Sequence, residues 1–563
     1  MNHTHTIYRL ILLFVSVCCG APAAFASDRP NVVILYYDDL GFGDLGANGQ
    51  TGLEIPADSK YLNPTQKTLT PNLDRLAGEG LRFTAAHSAD GVCTPSRYAL
   101  MTGRYAWRTS LKAGVKGGYS APLMDKSRYT IGKMFQSLGY KTAMIGKWHI
   151  GMQFYSPEGH PVDLGNDGEV LAKSKIDFSK PLTDTPRHRG FDYYFGTSAS
   201  LDMPPYAWIE SRDGAVRVLS KGGVVADDRV DFSQAVPATN ESLVEDKFPQ
   251  GGRSGVFDPA FKPKDYLQIQ AQRIVDYIAA RKQDGEPFFL YVPLPAPHTP
   301  HAVQEQFEGS AGSSYCDYVV QTDYYTGQIL EALGDASDSD SVASNTILIA
   351  TSDNGPEVGA YTRSREVNHD ANGPYKGMKR DNWEGGTRVP FVVRWPGVVK
   401  PGTTDHPCTQ VDIFATLAEA MAVELPGGAA PDAESFLPVL NGKSMPTERR
   451  PGFIEHSSNG QFASVDNAGE WKLLDGTGSG GNATSADADN SPIEDARGQV
   501  GGTPRQLYHL SQDPGERDNL LVDDPDNPND NSDPTPAAIA KEKELLKLLN
   551  EIRGDDDTPS RLR

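Results

Sequence analysis

The chain has 563 residues, 38% of them hydrophobic, and a formal net charge of −21. This length allows a large buried core and more than one domain. The acidic excess argues against nucleic acid or an anionic membrane as a general partner, because both repel a negatively charged surface. A pocket for an anionic substrate must therefore concentrate its own lysines and arginines.

The first residues have the pattern of an export signal. Arg9 precedes an apolar run from Leu10 to Cys19, and small residues end at Ala24-Phe25-Ala26. This order is typical of a secretory signal peptide, so residues 1–26 are predicted to be cleaved from a periplasmic or secreted protein. The apolar run is too short for a membrane span.

The cysteines that follow the predicted signal are too few for a disulfide scaffold. They are Cys93, Cys316 and Cys408. A Cys316–Cys408 bridge stays open, but two buried thiols are the favoured interpretation. Asn240 and Asn482 each begin an N-x-S/T sequence, which leaves glycosylation in a eukaryotic secretory route open.

The first predicted strand ends in two adjacent carboxylates. Residues 31–37 are a continuous apolar, β-branched run, typical of a strand buried on both faces of a parallel sheet. Asp38 and Asp39 follow at its carboxyl end, where α/β folds place ligands. Oxygen ligands suit a hard cation such as Ca²⁺ or Mg²⁺, whereas the alternative is a capped turn.

A lone thiol follows one helix and one short strand. Residues 70–77 predict a capped helix and residues 81–84 a strand. Cys93 then opens a further helix, with Pro95 in its first turn. A thiol at a helix start beside Arg97 is expected to have a lowered pKa, while the alternative is a buried structural cysteine.

The middle of the chain alternates strands and helices around a long irregular stretch. Residues 129–139 predict a helix and residues 140–145 a strand that ends in Gly146-Lys147-Trp148-His149. Residues 151–264 are rich in Gly, Pro and Asp and predict a largely irregular, functional loop region. A helix is predicted over 265–281.

Two more strands end in polar residues. The strand predicted over 287–294 is followed by His298 and, as a weaker candidate, His301. A helix over 315–333 is expected to carry Asp317 and Asp323 on its polar side. The strand over 345–351 ends in Asp353-Asn354, which adds a second oxygen-bearing pair to Asp38 and Asp39.

The composition changes near residue 431. Short strands are predicted within 452–464, over 470–474 and over 506–510, and a last helix over 537–552. The low-complexity stretch 476–502 and the acidic run 523–533 are interpreted as a loop and a solvated linker.

These elements predict an α/β fold with a large mixed, mostly parallel sheet flanked by helices. A smaller C-terminal α+β domain carries a short antiparallel sheet. The predicted boundaries are 27–430 for the catalytic domain and 431–563 for the C-terminal subdomain.

Several segments, in chain order, resemble the signatures of the type I, formylglycine-dependent sulfatases of the alkaline-phosphatase-like superfamily. They are Asp38-Asp39, Cys93-Thr94-Pro95-Ser96-Arg97, Gly146-Lys147-Trp148-His149, the strand before His298, Asp353-Asn354, and a K-x-x-x-x-E-G-G-x-R-x-P segment in residues 379–390. In that segment Lys379 matches the family lysine, Lys376 and Arg380 could compete for its role, and Arg388 is expected to be structural.

The resemblance implies hydrolysis of a sulfate monoester by Cα-formylglycine made from Cys93 by a formylglycine-generating enzyme. The implied metal is Ca²⁺, alternatively Mg²⁺, and the implied metal-binding residues are Asp38, Asp39, Cys93, Asp353 and Asn354. The implied catalytic residues are Cys93 (as formylglycine), Arg97, Lys147, His149, His298 and Lys379.

Each implied residue has a role in the family's reaction. The two lysines and the cation balance the sulfate oxygens, and Arg97 holds the nucleophile's oxygen. Asp353 and His149 accept protons, and His298 or Lys379 assists the departing alkoxide.

The expected substrate is a sulfated carbohydrate attacked from a chain end, with galactose or N-acetylgalactosamine sulfates as the first choice. One alternative is a phosphoester or phosphonate monoester hydrolase on the same scaffold. The other is a sulfated-glycan-binding protein without turnover. Neither a nucleic-acid partner nor a membrane span is expected.

Overall fold

The computed structural model describes residues 29–49, 53–63, 65, 67–165, 172–226, 229–476, 478–481, 505–521 and 534–554. The predicted signal peptide, Asn482, the acidic run 523–533 and most of the low-complexity stretch 476–502 lie outside these residues. Within the described part of the chain, none of the helices combines the length and apolar character needed to cross a membrane.

The described chain alternates strands and helices through most of its length. In chain order the strands are β1 (Asn31–Asp38), β2 (Leu81–Phe83), β3 (Ala86–His87), β4 (Lys141–Lys147), β5 (Phe154–Tyr155), β6 (Pro161–Val162), β7 (Tyr193–Thr197), β8 (Ile209–Arg212), β9 (Ala215–Ser220), β10 (Val224–Ala226), β11 (Arg229–Asp231), β12 (Val236–Pro237), β13 (Val244–Asp246), β14 (Gly255–Phe257), β15 (Phe288–Pro297), β16 (Thr346–Ser352), β17 (Phe391–Arg394), β18 (Gly402–Thr404), β19 (Cys408–Thr409), β20 (Gly452–His456), β21 (Phe462–Asp466), β22 (Trp471–Leu474) and β23 (Gln506–His509). The α-helices are α1 (Pro71–Glu79), α2 (Cys93–Thr102), α3 (Ile131–Ser137), α4 (Ala172–Lys175), α5 (Tyr266–Asp284), α6 (Ser314–Leu333), α7 (Val358–Arg365), α8 (Glu384–Thr387), α9 (Asp412–Ala420), α10 (Leu437–Leu440) and α11 (Pro536–Arg553).

The large sheet has eleven strands in the order β12-β9-β8-β7-β4-β15-β1-β16-β17-β2-β18. Its centre, from β7 to β16, is parallel, and antiparallel pairs extend it on both sides. The predicted fold class, a large mixed sheet flanked by helices with a smaller antiparallel sheet in the C-terminal part, is confirmed.

The central strand β1 is buried on both faces, which explains its continuous apolar sequence. Val33, Leu35 and Tyr37 pack into the core that contains α1, α5 and α6. The alternate residues Val32, Ile34 and Tyr36 pack into the core on the other face, with α2, α3 and α9. Helices therefore cover both faces, and the polar ends of the strands are left at the edges.

The stretch 151–264, predicted to be largely irregular, contributes β7, β8, β9 and β12 to the large sheet. These strands extend the sheet outward from β4, partly as antiparallel pairs. They are short, and Gly and Asp residues interrupt the runs between them. The local pattern therefore lacks the long periodicity that marks a central strand.

The C-terminal part forms a four-stranded antiparallel sheet, β20 to β23, which we call the small sheet. Helix α11 covers it, and Leu545, Leu548 and Ile552 pack with Ile454 and Leu473 in one core. Phe436 and Leu440 pack with the core of the large sheet. The boundary between residues 430 and 431 stays a prediction.

The described cysteines are all unpaired and buried. Cys316 lies in the core on one face of the large sheet and Cys408 in the core on the other. The two buried thiols are thus confirmed, and the bridge that was left open is excluded. The Asn240 side chain donates to two backbone carbonyl groups and accepts from Phe178 N.

Asp317 and Asp323, which were expected on the polar side of α6, are not exposed to solvent. Both are buried, and each accepts hydrogen bonds from backbone N–H groups. Asp323 receives the N–H groups of Asn72 and Leu73 at 2.9 Å, in the first turn of α1. The Thr70 side chain does not cap α1, so a residue 250 positions away in sequence does so instead.

Replacing Asp323 with alanine is expected to lower the free energy of unfolding by about 1–3 kcal/mol, because the buried N–H groups at the start of α1 lose their hydrogen-bond acceptor. Urea denaturation measures this change. Glu331→Ala, at an exposed position on the same helix, is the matched control and should stay within about 0.5 kcal/mol of the wild type. Equal stability of the two variants would show that the cap contributes nothing.

Candidate active site

The predicted site residues converge at one edge of the large sheet. Strands β4, β15, β1 and β16 are parallel neighbours, so their carboxyl ends meet there. The side chains at or just beyond these ends are Asp38, Asp39, Lys147, His149, His298, Asp353 and Asn354. Cys93 and Arg97 reach the same edge from α2, and Lys379 reaches it from the segment before α8.

Cys93 is the first residue of α2 and is fully enclosed. Its Sγ lies 3.5 Å from Asp38 Oδ1 and serves as the donor to that carboxylate. Burial raises the pKa of the Cys93 thiol, and the positive charges of Lys147 and Lys379 offset this only in part. The expected lowering of the thiol pKa is therefore wrong, and Cys93 is not a simple thiolate nucleophile.

Each buried carboxylate of the site has a cationic partner. Lys147 Nζ lies 2.5 Å from Asp38 Oδ2, and Lys379 Nζ lies 2.8 Å from Asp39 Oδ2. Arg97 donates to Asp353 Oδ2 through Nη2 at 2.7 Å and Nε at 3.0 Å. The six side chains are therefore formally neutral as a set.

The two carboxylates Asp38 and Asp353 have opposite pKa shifts. Burial acts to raise the pKa of Asp38, but the charges of Lys147, His298 and Arg97 hold it well below its usual range. Burial and the negative charge of Asp38 raise the pKa of Asp353 to about 6. Asp353 is therefore the carboxylate of this pair that can take up a proton near neutral pH.

Four side chains could hold a metal ion together. Ligand atoms of Asp38, Asp39, Cys93 and His298 all lie within 4.8 Å of one another. Asn354 Nδ2 donates to Asp39 Oδ1 at 2.7 Å, whereas Asn354 Oδ1 is buried and has no partner among the described residues. An orphaned buried carbonyl beside two carboxylates is a donor set that fits a hard divalent cation.

Asp353 is placed differently from the other predicted metal ligands. Its Oδ2 accepts from Arg97, and its Oδ1 accepts from the backbone N of Asp39 at 3.2 Å. Asp39 itself has φ of 65°, a left-handed conformation that Asp tolerates better than most residues. This turn allows consecutive residues, Asp38 and Asp39, to face the same site.

The two histidines have opposite tautomers. His149 Nε2 lies 2.8 Å from the carbonyl oxygen of Lys116, which can only accept, so Nε2 carries the hydrogen and Nδ1 keeps its lone pair. This Nδ1 has no partner in the described chain, and burial with the charges of Lys147 and Arg97 holds the pKa of His149 well below its usual range. His298 Nδ1 faces Thr299 O, which leaves Nε2 on the side of Asp39, at 3.8 Å.

The three side chains that could fill the role of the family lysine have different surroundings. Lys379 reaches Asp39, whereas Lys376 Nζ donates to Glu516 O at 2.9 Å and lies 4.0 Å from the centre of the Trp383 ring. Within the described structure, the Arg380 side chain makes no hydrogen bond or ion pair with the carboxylates of the site. Of these residues, Lys379 is the one that the structure brings onto the site.

Some residues that shape the site carry no signal in the sequence. Thr94 Oγ1 donates to His149 O at 2.8 Å and accepts from Lys116 N at 3.1 Å, while Lys116 O sets the His149 tautomer. The Lys116 contribution is made by its backbone, which no residue pattern reveals.

A second buried cluster of possible ligands, His87, Glu384 and Glu455, is different in nature. The Lys472 ammonium lies 2.8 Å from Glu384 Oε1 and 2.7 Å from Glu455 Oε2. The Lys472 ammonium therefore already occupies the position between these carboxylates that a metal ion would take.

Comparison with known families gives one domain match. The family model described as Sulfatase matches residues 30–423. This range includes every candidate residue of the site.

Curated relatives cover most of the chain. An N-acetylgalactosamine-6-O-sulfatase of Bacteroides thetaiotaomicron is 32% identical over 525 residues, which cover 89% of this chain and 91% of the relative. A steryl-sulfatase of Mus musculus is 30% identical and covers 94% of this chain and 82% of the relative.

Solved structures have the same fold. A structure from work on glycosaminoglycan metabolism by Bacteroides thetaiotaomicron superposes with a TM-score of 0.70 at 29% identity, covering 93% of this chain and 99% of that chain. A sulfatase from Pseudoalteromonas sp. superposes with a TM-score of 0.60 at 22% identity and supports the fold alone, with 93% of this chain and 91% of that chain covered.

Proposed function

The chain belongs to the sulfatase family, and from that premise we propose that it removes sulfate from sulfated carbohydrates by acting at a chain end. As a family member it is a sulfuric ester hydrolase. The observation that carries the proposal is the buried group of Asp38, Asp39, Cys93 and His298, flanked by the ammonium groups of Lys147 and Lys379.

We propose Ca²⁺, alternatively Mg²⁺, as the cation. The residues that would hold it are Asp38, Asp39, Asn354 and residue 93, with Asp353 and His298 at the margin of the group. The unpartnered Asn354 Oδ1 supports this assignment, because a buried carbonyl without a donor is costly. When bound, the cation supplies positive charge to the sulfate oxygens.

We propose that Cys93 is converted to Cα-formylglycine by a formylglycine-generating enzyme. When present, the hydrated aldehyde supplies a hydroxyl nucleophile that the buried thiol, with its raised pKa, does not. The enclosed position of residue 93 against Asp38 suits such a group, because bulk water is excluded around it.

The chain's own residues account for binding and proton transfer. Lys147 and Lys379 direct ammonium groups at the site and would hold two sulfate oxygens. Arg97 fixes the Asp353 carboxylate beside Asp39, where it is placed to accept the proton of the attacking hydroxyl.

The histidines fit the later proton transfers. The lone pair on His149 Nδ1 is available as a second proton acceptor. The departing oxygen of the sugar needs a proton, which the Lys379 ammonium can donate, or His298 once its Nε2 has been protonated.

The proposed substrate class rests on the relatives and on the predicted export signal. One relative is named for N-acetylgalactosamine 6-sulfate, and the solved structure at 29% identity comes from glycosaminoglycan metabolism. Sulfate esters of galactose and N-acetylgalactosamine are therefore the first substrates to test.

A panel of defined sulfated oligosaccharides tests this function. We expect sulfate release from a terminal galactose or N-acetylgalactosamine residue. Because the chain belongs to the sulfatase family, we also expect a kcat/KM at least about 100-fold higher than for the matching phosphate ester. Ion chromatography of released sulfate and phosphate gives both rates.

The panel also separates the alternatives. A preference for phosphate would support the phosphoester hydrolase, and binding of the glycans without release of either ion would support the glycan-binding protein. Protein carrying Cys93→Ala, prepared identically, reports any contaminating activity.

A further inference from the structure

Two active-site segments are held by the small sheet as well as by the large one. The first is the turn that leads into Cys93, residues 88–92. The second is the segment from Lys376 to Glu384, which carries Lys379. Both make buried contacts with residues of the small sheet, which lies outside the range matched by the family model.

The first contact joins Asp90 to His456, the last residue of β20. Asp90 Oδ2 lies 2.7 Å from His456 Nδ1, and the backbone N of Gly91 donates to His456 O at 2.8 Å. Both side chains are buried. His456 therefore fixes the carboxylate and the backbone of the turn together.

Asp90 in turn accepts hydrogen bonds that fix the start of α2. Its carbonyl oxygen accepts from Ser88 Oγ at 2.7 Å and from Ser96 Oγ at 2.9 Å, and its Oδ1 accepts from Val92 N at 3.2 Å. These bonds lie on both sides of Cys93. The position of Asp90 thus sets the direction in which residue 93 enters the site.

The second contact involves the backbone of Arg380, next to Lys379. Arg380 N donates to Gly91 O at 2.7 Å, and Ser458 N, in the loop between β20 and β21 of the small sheet, donates to Arg380 O at 3.1 Å. Arg380 has φ of 86°, an unfavourable conformation for a residue other than glycine. A Cβ on Gly91 would lie 3.0 Å from Arg380 C, so the two segments touch without spare room.

The third contact is the ionic group around Lys472. Its ammonium joins Glu384 at 2.8 Å to Glu455 at 2.7 Å, and all three side chains are fully buried. Glu516 Oε2 accepts from Glu384 N at 2.6 Å, and Glu516 O accepts from Lys376 Nζ at 2.9 Å. Both ends of the segment that carries Lys379 are therefore attached to the C-terminal part of the chain.

We propose that the small sheet positions the reacting groups: His456 acts through Asp90 on residue 93, and Lys472 acts through Glu384 on Lys379. The proposal rests on the proposed function of those two residues. His456 and Lys472 are positioning residues, since neither touches the metal-binding group or the carboxylates of the site in the described structure.

Two physical arguments favour positioning over simple stabilisation. Buried ion pairs are costly to desolvate, and apolar residues of similar volume often stabilise a fold as well or better. A displacement of about 1 Å in a reacting group can lower a rate by about 100-fold. A buried charged network beside an active site is thus better explained by the geometry it enforces.

The first test uses His456. His456→Ala is expected to lower kcat by about 10–100-fold, with KM changed by less than about threefold, because sulfate-binding groups remain while their alignment is lost. Rates are divided by the formylglycine content of residue 93, measured by peptide mass. His456→Asn can still donate from a position close to that of Nδ1, and should recover most of kcat.

A matched control separates alignment from folding. Leu548→Ala opens the core between α11 and the small sheet. That core also contains Ala89 of the first segment, but the change removes neither the Asp90–His456 contact nor the Lys472–Glu384 contact. It should lower the melting temperature and leave kcat unchanged at temperatures well below melting. If His456→Ala lowers the melting temperature in the same way and keeps kcat, the small sheet has no positioning role.

The second test uses Lys472 and a readout other than activity. Lys472→Met should speed hydrogen exchange at the backbone amides of Glu384 and Arg380, whose bonds anchor the Lys379 segment. Hydrogen–deuterium exchange with peptide mass analysis measures this. Unchanged exchange with unchanged kcat overturns the proposal for Lys472. If Lys472→Met does not fold, Glu516→Ala removes the acceptor of Glu384 N and tests the same attachment with the same outcomes.

The two proposals fail differently. A wild-type protein that releases no sulfate from any ester contradicts the proposed function, while exchange at Gly91 and Arg380 in His456→Ala still reports whether the small sheet holds the segments. A wild-type protein that is active, with His456→Ala and Lys472→Met equally active, contradicts only the positioning role.

Discussion

Replacing Cys93 with alanine is expected to lower kcat/KM for a sulfated substrate by at least about 10⁴-fold, because it removes the proposed nucleophile and leaves only binding and charge stabilisation. Sulfate release under saturating and subsaturating substrate measures the loss. Protein stability should change little, since alanine fills most of the volume of a buried cysteine.

Cys316→Ala is the matched control for this prediction. Cys316 is equally buried but lies in the core on one face of the large sheet, where it contacts neither Asp38 nor the lysines of the site. The activity of the Cys316→Ala variant should remain within about twofold of the wild type. A peptide mass that shows an unmodified thiol at position 93 in fully active protein would falsify the formylglycine mechanism.

Asp39→Asn is expected to lower kcat/KM by about 10³-fold and to reduce the bound divalent cation. Asparagine tolerates the left-handed backbone at this position, so the change removes one negative charge and one ligand oxygen without forcing the turn to move. It also leaves the Lys379 ammonium without its carboxylate partner. Elemental analysis of the purified protein and sulfate release measure the two effects.

Asp323→Asn provides the matched change from carboxylate to amide at a buried position on α6, outside the site. It should keep both the cation and the activity. Chelation of the wild type should abolish activity, and the ion that restores it distinguishes Ca²⁺ from Mg²⁺. Full activity of Asp39→Asn, or of the chelated enzyme, would contradict the metal proposal.

The central strands and their ends could be predicted because their signal is local. The continuous apolar runs of β1 and β16 indicate burial on both faces, and each ends in a polar pair. Parallel strands bring their carboxyl ends to one edge, so the meeting of Asp38, Asp39, Asp353 and Asn354 followed from the fold class. The outer strands β8, β9 and β12 could not be predicted in this way, because short antiparallel edge strands carry little periodicity.

The sequence by itself determined the chemistry that the chain can carry: a cysteine in a sulfatase-like motif, oxygen ligands at strand ends, and lysines and histidines in matching segments. Only the tertiary structure decided the pKa shifts, the tautomers and the contact partners of these groups. Burial raises the pKa of Cys93 where a helix start alone predicts the reverse, and the Lys116 carbonyl group selects the His149 tautomer. It also decided that Lys379, and not Lys376, faces Asp39, and that His456 holds Asp90 from 366 residues away. Residue patterns report local periodicity, whereas desolvation and hydrogen bonding depend on which distant atoms share the same buried space.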